Sequence, residues 1–105
     1  MATKIYNKLV RDLIPDIITQ SGKTCRTKVL TNKEYLKHID SKLDEELEEY
    51  HRDKSIEELA DLFELVRAAA IARGYTLEEL EAVRADKAKN RGGFERKLFL
   101  IDVTE

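Results

Sequence analysis

The sequence predicts a mainly α-helical protein, an antiparallel helical hairpin bundle with a small two-stranded β element, completed by oligomerisation. Three observations support this fold class. A hydroxyl residue followed three positions later by Glu, the capping-box pattern of a helix start, occurs three times. Apolar residues follow these boxes at helical spacing. Residues that interrupt helices are scarce, with one proline and four glycines in 105 residues.

Length and cysteine content indicate one domain spanning residues 1–105. A chain of this size holds a single hydrophobic core. Cys25 is the only cysteine, which excludes an intrachain disulfide and a thiolate zinc site, so we expect a reduced thiol and a cytoplasmic location. The first residues lack the apolar run of a signal peptide, and no apolar stretch approaches the ~20 residues of a membrane span. We expect no association with membranes.

The first elements are a short helix and an extended segment. Asp12 is expected to cap the helix, with Pro15 in its first turn, where a missing N–H costs nothing, and Gly22 at its end. Residues 24–30 and 97–103 are rich in Thr, β-branched or other apolar residues and are predicted to be strands. Since neither is stable alone, we expect them to pair with each other.

Three longer helices are expected near residues 32–52, 56–73 and 77–91, opened by boxes at Thr31, Ser55 and Thr76. The first carries one apolar stripe, formed by Leu36, Ile39, Leu43, Leu47 and Tyr50. The second is apolar around about two-thirds of its circumference. Because one chain offers too few helices to enclose that surface, we expect a homodimer or a homotetramer.

Charge is distributed unevenly along the chain, although the net charge is only -2. Residues 1–33 carry a net charge of +5, residues 34–64 carry -8 and residues 84–97 carry +4. An acidic centre with basic flanks would suit a carboxylate-bound metal beside a polyanionic ligand. Ordinary surface salt bridges between the segments explain the same distribution. Charge alone does not separate these alternatives.

Each helix of the predicted hairpin carries an acidic pair, Glu46 with Glu49 and Glu58 with Asp61, and one member of each pair intrudes on an apolar face. Glu46 falls beside the stripe of the first long helix, and Glu58 projects between apolar residues of the second. A buried, unpaired carboxylate costs several kcal/mol unless it is protonated, paired or bound to a cation. The alternative is that the acidic run is a solvated helix face and Glu58 only the third residue of its capping box.

Hairpin geometry brings these pairs together. If residues 51–55 form the turn, Glu49 and Glu58 are equidistant from its centre, and so are Glu46 and Asp61. All four carboxylates then converge on one face. Oxygen ligands without His or Cys favour a hard cation, Mg²⁺ or Mn²⁺. The neighbouring acidic residues Glu45, Glu48 and Glu57 are better explained as solvated charges.

Three motifs in order resemble a known family. The pattern Glu45-Glu46-Leu47-Glu48-Glu49 followed by Glu58-Leu59-Ala60-Asp61 resembles the signature of the MazG-like, all-α nucleoside triphosphate pyrophosphohydrolases. Residues 6–15 (YNKLVRDLIP) and 87–94 (KAKNRGGF) resemble the opening and closing motifs of a small house-cleaning subgroup. Relatives include dimeric dUTPases and phosphoribosyl-ATP pyrophosphohydrolases. One departure is the connection between Glu49 and Glu58, which is shorter than in typical members.

The resemblance implies an enzyme and its site. It implies hydrolysis of a (deoxy)nucleoside triphosphate to a monophosphate and pyrophosphate, with Mg²⁺ held by the catalytic carboxylates of Glu46, Glu49, Glu58 and Asp61. Glu49 is the candidate for orienting or deprotonating the attacking water. The fold implied is the all-α pyrophosphatase hairpin bundle, and the role implied is house-cleaning of nucleotide pools.

Basic residues are the candidates for binding the triphosphate. Lys87 and Arg91, at i and i+4 on the last helix, with Asn90 beside them, would meet phosphate oxygens. They also suit a basic last turn that complements the helix dipole. Lys8 and Arg11 are candidate phosphate-binding or structural groups.

Two other function classes remain as alternatives. One is a non-catalytic, homo-oligomeric helical binding module that retains the fold. The other is a helical homo-oligomer whose basic ends contact nucleic acid, which the acidic pI of 5.8 and the dispersed Lys and Arg residues disfavour. The sequence carries no phosphate-binding G-x-x-x-x-G-K-[ST] loop, which excludes the P-loop class.

Overall fold

The computed structural model describes residues 2–105, and this part of the chain contains four α-helices. They are α1 (Ile14–Gln20), α2 (Asn32–Asp53), α3 (Ile56–Ala72) and α4 (Leu77–Arg91). The mainly helical fold class is confirmed. Each of the three longer helices begins at the predicted residue and ends at most one residue from its predicted end. No helix in this range is long and apolar enough to cross a membrane.

The predicted two-stranded β element is wrong. Residues 24–30 and 97–103 contain no strand, and no strand occurs elsewhere in residues 2–105. Val29 is fully exposed and Phe99 is 89% exposed. A lone strand gains neither ladder hydrogen bonds nor a buried face, so β-prone composition alone does not order it. Both segments are therefore irregular chain that pairs with no strand in the described residues.

Local signals at the helix starts are met in most cases. Thr31 and Thr76 form complete capping boxes, each accepting a backbone N–H while a Glu side chain accepts the reciprocal one. At α1 the prediction fails, because Leu13 rather than Asp12 is the N-cap, with no side-chain hydrogen bond. Pro15 lies in the first turn as predicted, and Gly22, with φ of +88°, follows the helix end.

α2 and α3 form an antiparallel hairpin. Lys54 adopts the left-handed conformation, with φ of 55°, and its N–H donates to the carbonyl of Tyr50. Ser55 is the N-cap of α3, so the two residues Lys54 and Ser55 reverse the chain. At the far end Arg73 Nη2 lies 3.5 Å from Asp40 Oδ2. The first half of α2 therefore lies against the end of α3.

The interior of one chain is small. Ile39 on α2 is the single fully buried apolar residue among residues 2–105, with 1% exposure. The predicted stripe is half-buried around it at Leu36, Leu43 and Tyr50, whereas Leu47 is exposed. α3 exposes a second stripe on its other side, formed by Ile56, Leu59, Phe63 and Val66. At ~100° per residue these four span about 80° of the helix.

α4 packs on α3 only through its first turn. Leu77 and Leu80 are half-buried, and every later residue of α4 is exposed. The molecule measures 66 × 31 × 24 Å with a radius of gyration of 18.5 Å. A compact chain of this length has a radius of gyration of about 13 Å. The described chain is thus extended, with the α2–α3 hairpin as its packed centre.

Candidate metal centre

The hairpin brings the four predicted carboxylates together. One oxygen each from Glu46, Glu58 and Asp61 lie within 4.8 Å of one another. Glu49 lies close enough to Glu58 to contribute to the raised pKa of its carboxyl. It also groups with Glu46 and Glu45 within the same 4.8 Å limit. We refer to Glu46, Glu49, Glu58 and Asp61 as the acidic cluster.

Glu46 is the most informative member of the cluster. It is 7% exposed, and its Oε2 atom has no hydrogen-bond partner in the described part of the chain. Lys42 Nζ, one turn earlier on α2, lies 3.5 Å from the other oxygen. Leaving a buried carboxylate oxygen unpartnered costs on the order of 1–3 kcal/mol. The site therefore lacks a group that would satisfy this oxygen.

The Glu58 side chain does not complete the capping box that its sequence position predicts. Ser55 accepts the backbone N–H of Glu58, but the reciprocal bond from the Glu58 side chain, present at both other boxes, is not formed. The carboxylate instead points into the cluster, where Oε2 is also without a partner. Burial raises the pKa of the Glu58 carboxyl to about 7, and the three neighbouring carboxylates add to this effect.

The donor set fits a hard divalent cation. All donors are carboxylate oxygens, which Mg²⁺ and Mn²⁺ prefer over softer ligands. A cation would satisfy the unpartnered oxygens of Glu46 and Glu58 and would offset the mutual repulsion of the cluster. Two overlapping oxygen groups share Glu46, which makes this residue the centre of the arrangement.

Three cations line the cluster. Arg11 Nη2 lies 2.6 Å from Asp61 Oδ1, and Lys8 Nζ lies 3.7 Å from Glu45 Oε1. Lys42 bridges Glu45 and Glu46 at 3.2 and 3.5 Å. A cleft of about 250 Å³ opens beside them, between residues 7–9 and the first half of α2. Lys8 and Arg11 are thus placed at the site, as the sequence allowed.

Sequence reasoning missed two residues here. Glu45, interpreted as a solvated charge, is half-buried and belongs to one of the oxygen groups, whereas Glu48 and Glu57 are exposed as expected. The second residue is Lys42. Its position four residues before Glu46 was an available signal, since i, i+4 pairs of opposite charge meet on a helix surface.

The last helix does not bring its basic residues to the cluster. Lys87, Asn90 and Arg91 are exposed on α4. Within residues 2–105 none of them forms an ion pair or a side-chain hydrogen bond. Gly92, whose φ is +83°, follows the last residue of α4. Their predicted contact with a triphosphate is therefore not assembled by the described part of one chain.

Comparison with known proteins adds one relative. The chain is 43% identical over 54 residues, 48% of its length, to an uncharacterized protein of Mycolicibacterium smegmatis. The match covers 55% of that protein, so the chain spans about half the length of the curated relative it matches. No family model matches the chain, and no solved structure matches it.

Proposed function

We propose that the chain is a Mg²⁺-dependent nucleoside triphosphate pyrophosphohydrolase of the MazG-like type. The observation that carries the proposal is Glu46, a buried carboxylate with an unpartnered oxygen at the centre of four acidic side chains. Lys42 and Arg11 pair with other oxygens of the cluster, but neither satisfies the buried Oε2 atom of Glu46, which a divalent cation would satisfy. The order of the three sequence motifs supports the same reaction class.

The proposed roles follow from placement and charge. Glu46, Glu58 and Asp61 hold the cation, which when bound supplies charge neutralisation for the phosphates and a water of lowered pKa. Glu49, adjacent to Glu58 on the facing helix, orients the attacking water and accepts its proton. A triphosphate is repelled by the bare cluster, so cation binding precedes or accompanies substrate binding. Lys8 and Arg11 on the rim donate to phosphate oxygens.

A second copy of the chain is part of this proposal. A compact monomer of 12.2 kDa exposes about 6,100 Å². The described chain exposes 10011 Å². The excess of about 3,900 Å² for each chain is at least as large as the surface that one subunit of an obligate oligomer buries. We propose a homodimer or homotetramer that covers the apolar stripe of α3 and brings Lys87, Asn90 and Arg91 to a neighbouring cluster. This oligomer acts on nucleotide pools in the cytoplasm.

A nucleotide panel tests the activity. The protein is incubated with (deoxy)nucleoside triphosphates and Mg²⁺, and products are separated by ion-exchange chromatography. Monophosphate with pyrophosphate is expected. Diphosphate with orthophosphate would reject attack at the α-phosphorus, and no turnover with any substrate would favour the non-catalytic binding module. Light scattering coupled to size exclusion gives the mass, and a single 12.2 kDa species would reject the oligomer.

Matched variants connect activity to the cluster. Glu58→Gln should remove activity while preserving or raising the melting temperature in metal-free buffer, because it relieves repulsion among the carboxylates. Glu57→Gln is the control, since this neighbouring carboxylate is exposed and outside the cluster. A large loss of metal-free stability in Glu58→Gln alone would identify Glu58 as a structural residue.

A further inference from the structure

The segment before α1 lies over the acidic cluster. Residues 7–11 place Lys8 against Glu45 and Arg11 against Asp61, at 3.7 and 2.6 Å. The Arg11 carbonyl accepts the N–H of Ile14, which ties the end of this segment to the start of α1. Leu9, between the two cations, is half-buried while its neighbours are exposed. The segment is thus held by two ion pairs, with the Leu9 side chain half-buried between them.

We propose that Arg11 is an exchangeable counter-ion of the cluster. It neutralises Asp61 while no divalent cation is bound, is displaced from Asp61 when the cation binds, and is then free to bind the triphosphate. This inference rests on the proposed function, because it requires a cation and a phosphate ligand at this site. It adds an order of events in which metal binding makes the substrate-binding arginine available.

The geometry of Asp61 supports competition between the two cations. The oxygen bonded by Arg11 belongs to the same carboxylate that groups with Glu46 and Glu58. A divalent ion at this group would place two positive centres within a few ångströms of each other, and their repulsion grows as 1/r. The divalent ion has several carboxylates to hold it, whereas the described residues give Arg11 only Asp61 as an ion-pair partner. The arginine is therefore the partner that leaves.

Exposure makes the exchange easy. The side chains of Arg11 and Asp61 are 58% and 38% exposed, and ion pairs of this kind contribute little to stability. Breaking the pair does not leave a buried charge, since the guanidinium already contacts water. A released guanidinium at the rim presents the planar, bidentate donor geometry that matches a phosphate group. Lys8 on the same segment adds a second positive charge there.

Metal titration gives the first test, with Mn²⁺ alone as the probe in isothermal titration calorimetry. Arg11→Ala should bind Mn²⁺ about 1.5- to 5-fold more tightly than the wild type, the gain expected when an exposed competing ion pair is removed. Arg26→Ala is the matched control, an exposed arginine to which the described residues offer no ion pair. Unchanged or weaker Mn²⁺ binding in Arg11→Ala would overturn the inference.

Two further readouts separate displacement from simple proximity. In ¹⁵N spectra, the Arg11 Nη–H signals, assigned with Arg11→Lys, should broaden or vanish when Mg²⁺ is added, since Nη2 then loses its hydrogen bond to Asp61 Oδ1. Inorganic tripolyphosphate, titrated with Mn²⁺ present, should bind Arg11→Ala at least about tenfold more weakly. A signal that persists with Mg²⁺, or unchanged tripolyphosphate binding, would identify Arg11 as a fixed structural group.

The failure of this inference is distinguishable from that of the proposed function. If the wild type binds no Mn²⁺, both fall together. If it binds Mn²⁺ and hydrolyses triphosphates while Arg11→Ala behaves like Arg26→Ala in all titrations, only the exchange is refuted. Arg11→Lys keeps the charge without the bidentate fork, so it should retain competition with Mn²⁺ but lose part of the tripolyphosphate affinity.

Discussion

The acidity of Glu58 predicts a strong pH dependence of metal binding. The pKa of this carboxyl is raised from 4.5 to about 7, with burial as the largest cause and repulsion from the neighbouring carboxylates adding to it. A cation binds the ionised form, so protons compete with it. With this pKa, roughly one-tenth of Glu58 is ionised at pH 6 and roughly nine-tenths at pH 8. Mn²⁺ should therefore bind about tenfold more weakly at pH 6 than at pH 8.

The assay is calorimetric titration with Mn²⁺ at several pH values, in two buffers of different ionisation enthalpy. At pH 7 the buffer dependence should reveal release of about half a proton per ion bound, since Glu58 is then half protonated. Glu58→Gln should bind more weakly but lose this proton release. Glu57→Gln should behave like the wild type. Affinity that is equal at pH 6 and pH 8 would refute the reasoning, because ordinary carboxylates are fully ionised at both.

Three further predictions concern stability and substrate binding. In metal-free buffer the melting temperature should fall as the pH rises from 4.5 through 7, since folded Glu58 holds a proton that the unfolded chain releases. Glu58→Gln should remove this part of the pH dependence. A melting temperature that rises over this range would contradict the prediction. Measured by urea denaturation, Ile39→Ala should lower the free energy of unfolding by about 2–4 kcal/mol and Ile39→Val by about 1 kcal/mol. Equal losses of unfolding free energy in the two variants would show that Ile39 is not in a packed interior. Lys87→Ala should raise KM about tenfold without changing the melting temperature, because its side chain is exposed; an unchanged KM would place it outside the substrate site.

The helices were predictable because their signals are local. Thr31 and Thr76 each specify a start within four residues of sequence, and the apolar period extends each helix to a clear stop. The prediction of Asp12 as the N-cap of α1 was wrong because a suitable side chain must also stand at the residue directly before the helix. Leu13 occupies that N-cap position. Strand pairing between residues 24–30 and 97–103 failed for a different reason. Composition reports a tendency to extend, but pairing depends on distant chain that composition does not describe.

The candidate site likewise contains one feature that the sequence predicts and others that it does not. Equidistance of Glu49 and Glu58 from the turn placed them side by side, since an antiparallel hairpin converts sequence distance into axial position. Nothing comparable relates Arg11 to Asp61, which are 50 residues apart and meet only in the folded chain. The pair was therefore visible only in three dimensions, as was the distance of Lys87 from the cluster.

The unfinished capping box at the start of α3 has a consequence for local order. Because the Glu58 side chain points into the cluster, the N–H of Ser55 has no side-chain acceptor among the described residues. The N–H groups of Thr31 and Thr76, at the starts of α2 and α4, each donate to a Glu side chain. The first turn of α3 should therefore fray more readily than the first turns of α2 and α4. A cation bound to Glu58 would stabilise the first turn of α3. Hydrogen exchange of the backbone amides of residues 55–59 should then slow when Mg²⁺ is added. Metal binding at Glu58 would thus be detected as reduced fraying of the start of α3.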